Sequence, residues 1–178
     1  MSIRLSALVL VSASMLGLCG CAASVRKSDS AAPLAISHVA VKTIVLNVTG
    51  SKAIMDSGDW EQFKGEWRAA MKAAAGSIGA TVVAQEGEPK ATGAPGVLIV
   101  VEVADYHYLS PGARYAFGVM TGNAYINSTV QFRDLTTGNL QGERKYDTSS
   151  SAWQGIFSAM TEKQVQAICK QIVGELPQ

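Results

Sequence analysis

Two histidines, His38 and His107, are the first candidates for chemistry in this chain. The run 97–109 is expected to be a strand, and alternate residues of a strand share a face, so His107 would lie beside Asp105 in a metal-binding or acid/base pair. The alternative, which the sequence favours, is that both side chains stand in solvent at the polar end of that strand. No other set of nucleophile, base and metal ligands is evident. We therefore expect a protein that is not an enzyme and that has no cofactor and no metal.

The first 21 residues have the pattern of an export signal. Arg4 precedes an apolar run at 5–18, which is too short to cross a membrane comfortably, since crossing takes about 20 apolar residues. The run ends in Leu18-Cys19-Gly20-Cys21, which resembles the lipobox of bacterial lipoproteins. That resemblance implies cleavage between Gly20 and Cys21, so that residues 1–20 are a lipoprotein signal peptide and Cys21 carries lipid. The alternatives are an ordinary secretory signal and a retained membrane anchor.

Lipidation of Cys21 would hold the protein at a membrane permanently. A diacylglyceryl thioether and an N-acyl group provide three chains, and each buried CH₂ contributes about 0.8 kcal/mol. In lipoproteins of this kind an aspartate directly after the cysteine is the usual signal for retention in the inner membrane, and Ala22 stands there instead. The resemblance therefore implies the outer membrane, with the domain on its periplasmic face.

The net charge of the chain argues against a nucleic-acid partner. Without Arg4, which would leave with the signal peptide, 14 basic and 14 acidic side chains remain. Binding to a phosphate backbone needs an excess of Lys and Arg that displaces counterions. The sequence therefore predicts partners other than nucleic acid.

Cys169 is the third cysteine of the chain and would have no disulfide partner, because Cys19 leaves with the signal and Cys21 carries lipid. It could be a reactive thiol. Its apolar neighbours at helical spacing, which include Val165 and Ile172, instead predict a place in the core.

The rest of the chain divides into a tether and one domain. Residues 22–37 are rich in Ala and Ser, so residues 21–37 are expected to be the lipidated cysteine and a flexible tether, with a root-mean-square span of about 20 Å. Residues 38–178 are expected to form a single α/β globular domain. Apolar periodicity predicts strands at 38–48, 80–84, 97–109, 123–133 and 140–148, and helices at 59–77 and 161–176, with Asp59 as the N-cap of the first.

This order of elements, β-α-β-β-β-β-α, favours an α+β fold. Three consecutive strands with short turns predict an antiparallel meander, and two amphipathic helices need a sheet to cover. The predicted architecture is a two-layer sandwich, in which a mixed, mostly antiparallel sheet is covered by two helices.

With these elements in place, the chain resembles a family of small bacterial lipoproteins that share a domain of unknown function. The resemblance depends on short motifs spread over nearly the whole mature chain. They are Arg114, Phe117-Gly118 and Gly122, then 130–134 with Thr137-Gly138, then 153–157, and finally 162–176. It implies an envelope protein and brings no catalytic residues.

Two segments supply a candidate interaction surface, because aromatic and Met side chains on glycine-containing backbone are typical of contact surfaces. The alternative is that these segments fold back over the core. The residues are Arg114, Tyr115, Phe117 and Met120 in segment 110–122, and Trp153 and Phe157 in segment 152–160. We expect an outer-membrane lipoprotein that acts as an interaction or assembly module, through an envelope protein partner or self-association. The alternative function is binding of a small ligand or peptidoglycan between segment 110–122 and the last helix.

Overall fold

The structure, a computed structural model, describes residues 24–27, 33–37, 40–108, 124–149 and 160–177. The described residues form six strands and three α-helices, with a short 3₁₀ turn at Ala40–Lys42. The strands are β1 (Ser24–Lys27), β2 (Thr43–Gly50), β3 (Thr81–Ala84), β4 (Val97–His107), β5 (Tyr125–Asp134) and β6 (Leu140–Ser149). The helices are α1 (Lys52–Met55), α2 (Trp60–Gly76) and α3 (Met160–Gly174).

All six strands belong to one sheet in the order β1-β6-β5-β4-β2-β3. The pairs β1–β6, β6–β5 and β5–β4 are antiparallel, whereas the pairs β4–β2 and β2–β3 are parallel. Helices α2 and α3 pack side by side on one face of the sheet. The prediction of an α+β sandwich with a mixed, mostly antiparallel sheet and two covering helices is therefore confirmed.

The core lies between this helix pair and the sheet. Helix α2 points Phe63, Trp67 and Met71 at the strands, since apolar residues three and four apart share a helix face. Cys169 on α3 is fully buried among them, and burial raises the pKa of its thiol. The prediction that Cys169 belongs to the core is confirmed.

Strand β4 contains a bulge that changes which side chains face the helices. The pairing with β5 shifts by one residue between Val103 and Asp105, so Ala104 is the extra residue. Val103 packs against the helices, and beyond the bulge Tyr106 and Tyr108 do so as well. Regular alternation along the predicted strand 97–109 would place Asp105 and His107 on the face of Val103. They lie on the opposite face, because a shift of one residue exchanges the two faces of a strand.

The segment expected to be a tether is partly ordered against the sheet. Residues Ser24–Lys27 form β1 along the edge of β6, and Leu34 packs on the core. Leu34 crosses β6 at Gly142, where an added Cβ would clash with the Leu34 side chain. The prediction of a flexible tether throughout 21–37 is therefore wrong. Composition suggested flexibility, but the few apolar side chains in this segment find a sheet edge on which to pack.

Candidate functional site

The residues of the predicted cleavage site and of the predicted interaction surface lie outside the described part of the chain. They are Gly20 and Cys21 at the predicted cleavage site, and Arg114, Tyr115, Phe117, Met120, Trp153 and Phe157 on the predicted interaction surface. The described residues that flank them are placed, and their positions define the candidate site.

One row of paired residues crosses four strands at a single end of the sheet. Ser24 of β1 pairs with Ser149 of β6, Ser149 pairs with Tyr125 of β5, and Tyr125 pairs with His107 of β4. We call this row the Ser24 end. Because β1 and β5 begin there while β4 and β6 finish there, segments 1–23, 109–123 and 150–159 all join the sheet at or next to this row.

On the helix side of the Ser24 end, Tyr106 is the centre of an aromatic group. Its ring stacks on Phe63 with the centroids 4.3 Å apart, and its hydroxyl donates to Asp59 Oδ1 at 2.5 Å. Burial and this hydrogen bond raise the pKa of Tyr106 to about 12. Asp59 precedes α2 as predicted, but its side chain does not cap the helix. The carboxylate is instead occupied by Tyr106 and by Ser57, whose hydroxyl donates to it at 3.0 Å.

Next to this group, Glu66 lies half-buried between α2 and α3. Its Oε1 accepts a hydrogen bond of 2.6 Å from the hydroxyl of Tyr108, while its buried Oε2 has no hydrogen-bond partner among the described residues. Burial and the nearby charge of Glu162 raise the pKa of Glu66, against the lowering effect of the bond from Tyr108. This carboxyl group holds Tyr108, the residue after β4, in place, and within the described ranges its second oxygen accepts no hydrogen bond.

On the opposite face of the sheet, Asp105 and His107 both lie next to Tyr125 of β5, on the polar end of β4 where the sequence favoured a solvent-facing position over a metal-binding or acid/base pair. The Tyr125 hydroxyl donates to Asp105 Oδ2 at 3.1 Å, and the His107 and Tyr125 rings lie 6.0 Å apart. The bond to Asp105 raises the pKa of Tyr125. Within the described ranges, no three His, Cys, Asp or Glu side chains are grouped to hold a metal ion. The arrangement is a polar, hydrogen-bonded surface.

A cluster of three charged residues joins β1 to the rest of the fold. Glu175, just after α3, accepts a hydrogen bond from Lys27 of β1 and one of 3.1 Å from Arg144 Nε of β6. Partial burial alone would raise the pKa of Glu175, but the bonds and positive charges of Lys27 and Arg144 together hold it below its ordinary value. The sequence patterns do not predict this cluster. The available signal was Arg144, which stands two residues before Tyr146 and therefore on the core face of β6.

A shallow groove of about 680 Å³ runs between the C-terminal halves of α2 and α3. Its lining combines small and apolar side chains with one cation, namely Ala70, Ala73, Ala74, Ser77, Ile78, Gln166, Lys170, Val173 and Gly174. The groove exists because alanines on α2 face Gly174 on α3 and leave space between the helices. It lies away from the Ser24 end, and the cleft predicted beside segment 110–122 lies outside the described residues.

None of the helices in the described ranges is both long and apolar enough to span a membrane.

The fold is similar to several solved structures of bacterial proteins, while no family model and no curated protein matches the chain. A PelC dodecamer from Paraburkholderia phytofirmans is 13% identical, with 83% of this chain and 95% of that chain covered and a TM-score of 0.49. Protein XCC0632 from Xanthomonas campestris is 10% identical over 75% of this chain and 81% of that one, with a TM-score of 0.43. A putative neuraminyllactose-binding hemagglutinin homolog from Helicobacter pylori is 10% identical over 82% and 87%, with a TM-score of 0.41.

Proposed function

We propose that this protein is a lipoprotein of the bacterial outer membrane, anchored through Cys21 on the periplasmic face. It acts without catalysis as an interaction or assembly module for another envelope protein or for a second copy of itself. The observation that carries the proposal is the Ser24 end, where the lipid-bearing terminus and both segments of the predicted interaction surface join one row of the sheet.

Chain length fixes how far this end lies from the lipid. Cys21 precedes Ser24 by three residues, which span at most about 11 Å when fully extended. Since β1 is paired with β6, the anchor cannot move farther from the sheet while that pairing lasts. A lipid on Cys21 therefore holds the Ser24 end next to the membrane surface.

The kind of partner follows from this orientation. The chain leaves the sheet after His107 and Ser149 to form the segments with Phe117 and Trp153, so both segments start next to the anchored row. A protein that binds there must itself reach the membrane surface. The proposed partner is therefore membrane-embedded or lipid-anchored, and a second copy of this chain satisfies the same condition.

Lipidation is tested by metabolic labelling with a tagged fatty acid and by membrane fractionation. Wild-type protein should take up the label and sediment with the outer membrane. The Cys21→Ala variant should do neither. Cys19→Ala is the matched control, because it changes the neighbouring cysteine and should leave labelling intact. Label that persists in Cys21→Ala, or that is absent from the wild type, contradicts the assignment of Cys21.

The interaction role is tested by photo-crosslinking in cells. A photoreactive residue at Phe117 should give a defined adduct with another envelope protein or with a second copy. A matched probe at Val83, which is 56% exposed on the opposite edge of the sheet, should not give that adduct. If Phe117 crosslinks only within its own chain, the segment covers the core and the proposed surface is wrong.

A further inference from the structure

We infer that β1 is a releasable strap that sets the distance between the domain and its membrane. When β1 is paired with β6 the domain is held close, and when β1 leaves the edge the same chain becomes a long tether. The inference rests on the proposed lipidation of Cys21 and adds a way of regulating how far the anchored domain reaches.

The contacts of β1 are those of a strand that can open by itself. It has four residues, it lies at the edge of the sheet, and among the described strands it pairs with β6 alone. Val25 packs against the core while Arg26 is exposed. Short edge segments with few buried contacts open at lower free energy than the strands between them.

The charged cluster allows such an opening because Glu175 has two cationic partners. Lys27, with 32% of its side chain exposed, is the partner that β1 brings. Arg144, with only 4% exposed, belongs to β6 and keeps its bond to Glu175 when β1 leaves. Release therefore separates one ion pair at the rim and leaves the interior pair intact.

The two states differ strongly in reach. Docked, Cys21 lies within about 11 Å of the sheet, because Ser24 is fixed. Released, the first residue held on the domain is Leu34, which packs over Gly142. Leu34 follows Cys21 by thirteen positions, and a chain of this length has a root-mean-square span of about 20 Å and a fully extended limit of about 45 Å.

Docking is tested with a disulfide in the full-length protein exported to the oxidising periplasm. Arg26 and Asp147 are directly opposed in the β1–β6 register, so Arg26→Cys with Asp147→Cys should form an intrachain disulfide. Arg26→Cys with Glu143→Cys is the matched control, since Glu143 is exposed on the same strand face but four residues farther along β6. Failure of the first pair, or equal yields from both pairs, overturns the docked state.

Release is tested by hydrogen exchange on the mature protein in detergent. The β1 amides should exchange at least about tenfold faster than those of β5, which shows opening without global unfolding. Lys27→Met should speed β1 exchange roughly threefold, as expected for one partly exposed ion pair. Lys145→Met, on the exposed face of β6, should change nothing. Exchange of β1 as slow as that of β5, or no effect of Lys27→Met, refutes a releasable strap.

Reach is measured by energy transfer from the tryptophans to a headgroup acceptor in vesicles of phosphatidylethanolamine and phosphatidylglycerol. In the mature Arg26→Cys, Asp147→Cys protein, energy transfer should be stronger when the disulfide is formed than when it is reduced. In Lys27→Met, energy transfer should be weaker than in the wild type. Unchanged transfer in protein that stays on the vesicles refutes the strap alone. Protein that does not stay on the vesicles refutes the lipid anchor, and the disulfide and exchange results still report on docking.

Discussion

Replacing Glu175 with Gln should destabilise the fold, because this carboxylate neutralises a cation inside it. Glu175 is only 16% exposed and bonds to Arg144, which is 4% exposed, and to Lys27 at the rim. Gln keeps the size and one acceptor but removes the charge. The variant thus isolates the electrostatic part of the cluster.

The expected magnitude follows from the burial of each partner. Removing one member of a buried pair costs about 3–5 kcal/mol, whereas an exposed pair contributes about 0–1 kcal/mol. Glu175 has one partner of each kind, and Gln still accepts one hydrogen bond from Arg144. We therefore expect Glu175→Gln to lower the free energy of unfolding by about 2–3 kcal/mol at pH 7.

Urea unfolding of the full-length protein, followed by tryptophan fluorescence, measures this loss. The control is Glu143→Gln, an exposed carboxylate on the other face of β6, which should change stability by less than about 0.5 kcal/mol. Because the pKa of Glu175 is lowered from 4.5, its contribution is present above that pH and disappears as the pH falls below it. The two curves should therefore converge in acid. Equal losses for Glu175→Gln and Glu143→Gln, or a difference independent of pH, would refute the reasoning.

Three further predictions concern single positions. Gly96→Ala should lower stability in thermal unfolding by about 1–3 kcal/mol, because the new Cβ would lie 2.9 Å from the backbone oxygen of Thr43. The control Gly65→Ala, in open space on α2, should raise stability by up to about 1 kcal/mol. Glu66→Gln should not lower the melting temperature at pH 7, since it removes a charge whose burial raises the pKa; any gain should vanish as the pH falls through that pKa, and a large loss would show that the charge is needed. Cys169 should react with a maleimide only after unfolding, by mass spectrometry; modification of the native protein would contradict its burial.

Local patterning was enough to predict most of the sheet and both covering helices. The alternation of buried and partly exposed residues along β5 is almost perfect, and the spacing of Phe63, Trp67 and Met71 marks the inner face of α2. In such segments the burial of a side chain follows the repeat of the helix or strand, and that repeat is visible in residues a few positions apart. These signals are present in the sequence itself.

Features that depend on distant partners could not be predicted in this way. Strand β1 exists because β6, more than a hundred residues later, offers an edge, and because Glu175, just after α3, offers a carboxylate for Lys27. Asp59 has the residue type and the position of a helix N-cap, but its carboxylate instead accepts a hydrogen bond from the hydroxyl of Tyr106 on β4. Of the candidate site, the sequence predicted that Asp105 and His107 share one face of a strand, but not the Ser24 end, which appears only once strand register is known.

The bulge at Ala104 lets one continuous strand bury two different sets of side chains, one before the bulge and one after it. Before Ala104, the aliphatic side chains of β4 face the core. After it the alternation is reversed, so that Tyr106 and Tyr108 face the core whereas Asp105 and His107 face outward. Deleting Ala104 would remove the bulge and keep this facing, because Asp105 would then follow Val103 directly in a regular ladder. A strand that kept Ala104 in regular alternation would instead place Asp105 and His107 under the helices and Tyr106 and Tyr108 in solvent. The bulge at a single residue thus decides which chemistry the strand shows to the outside.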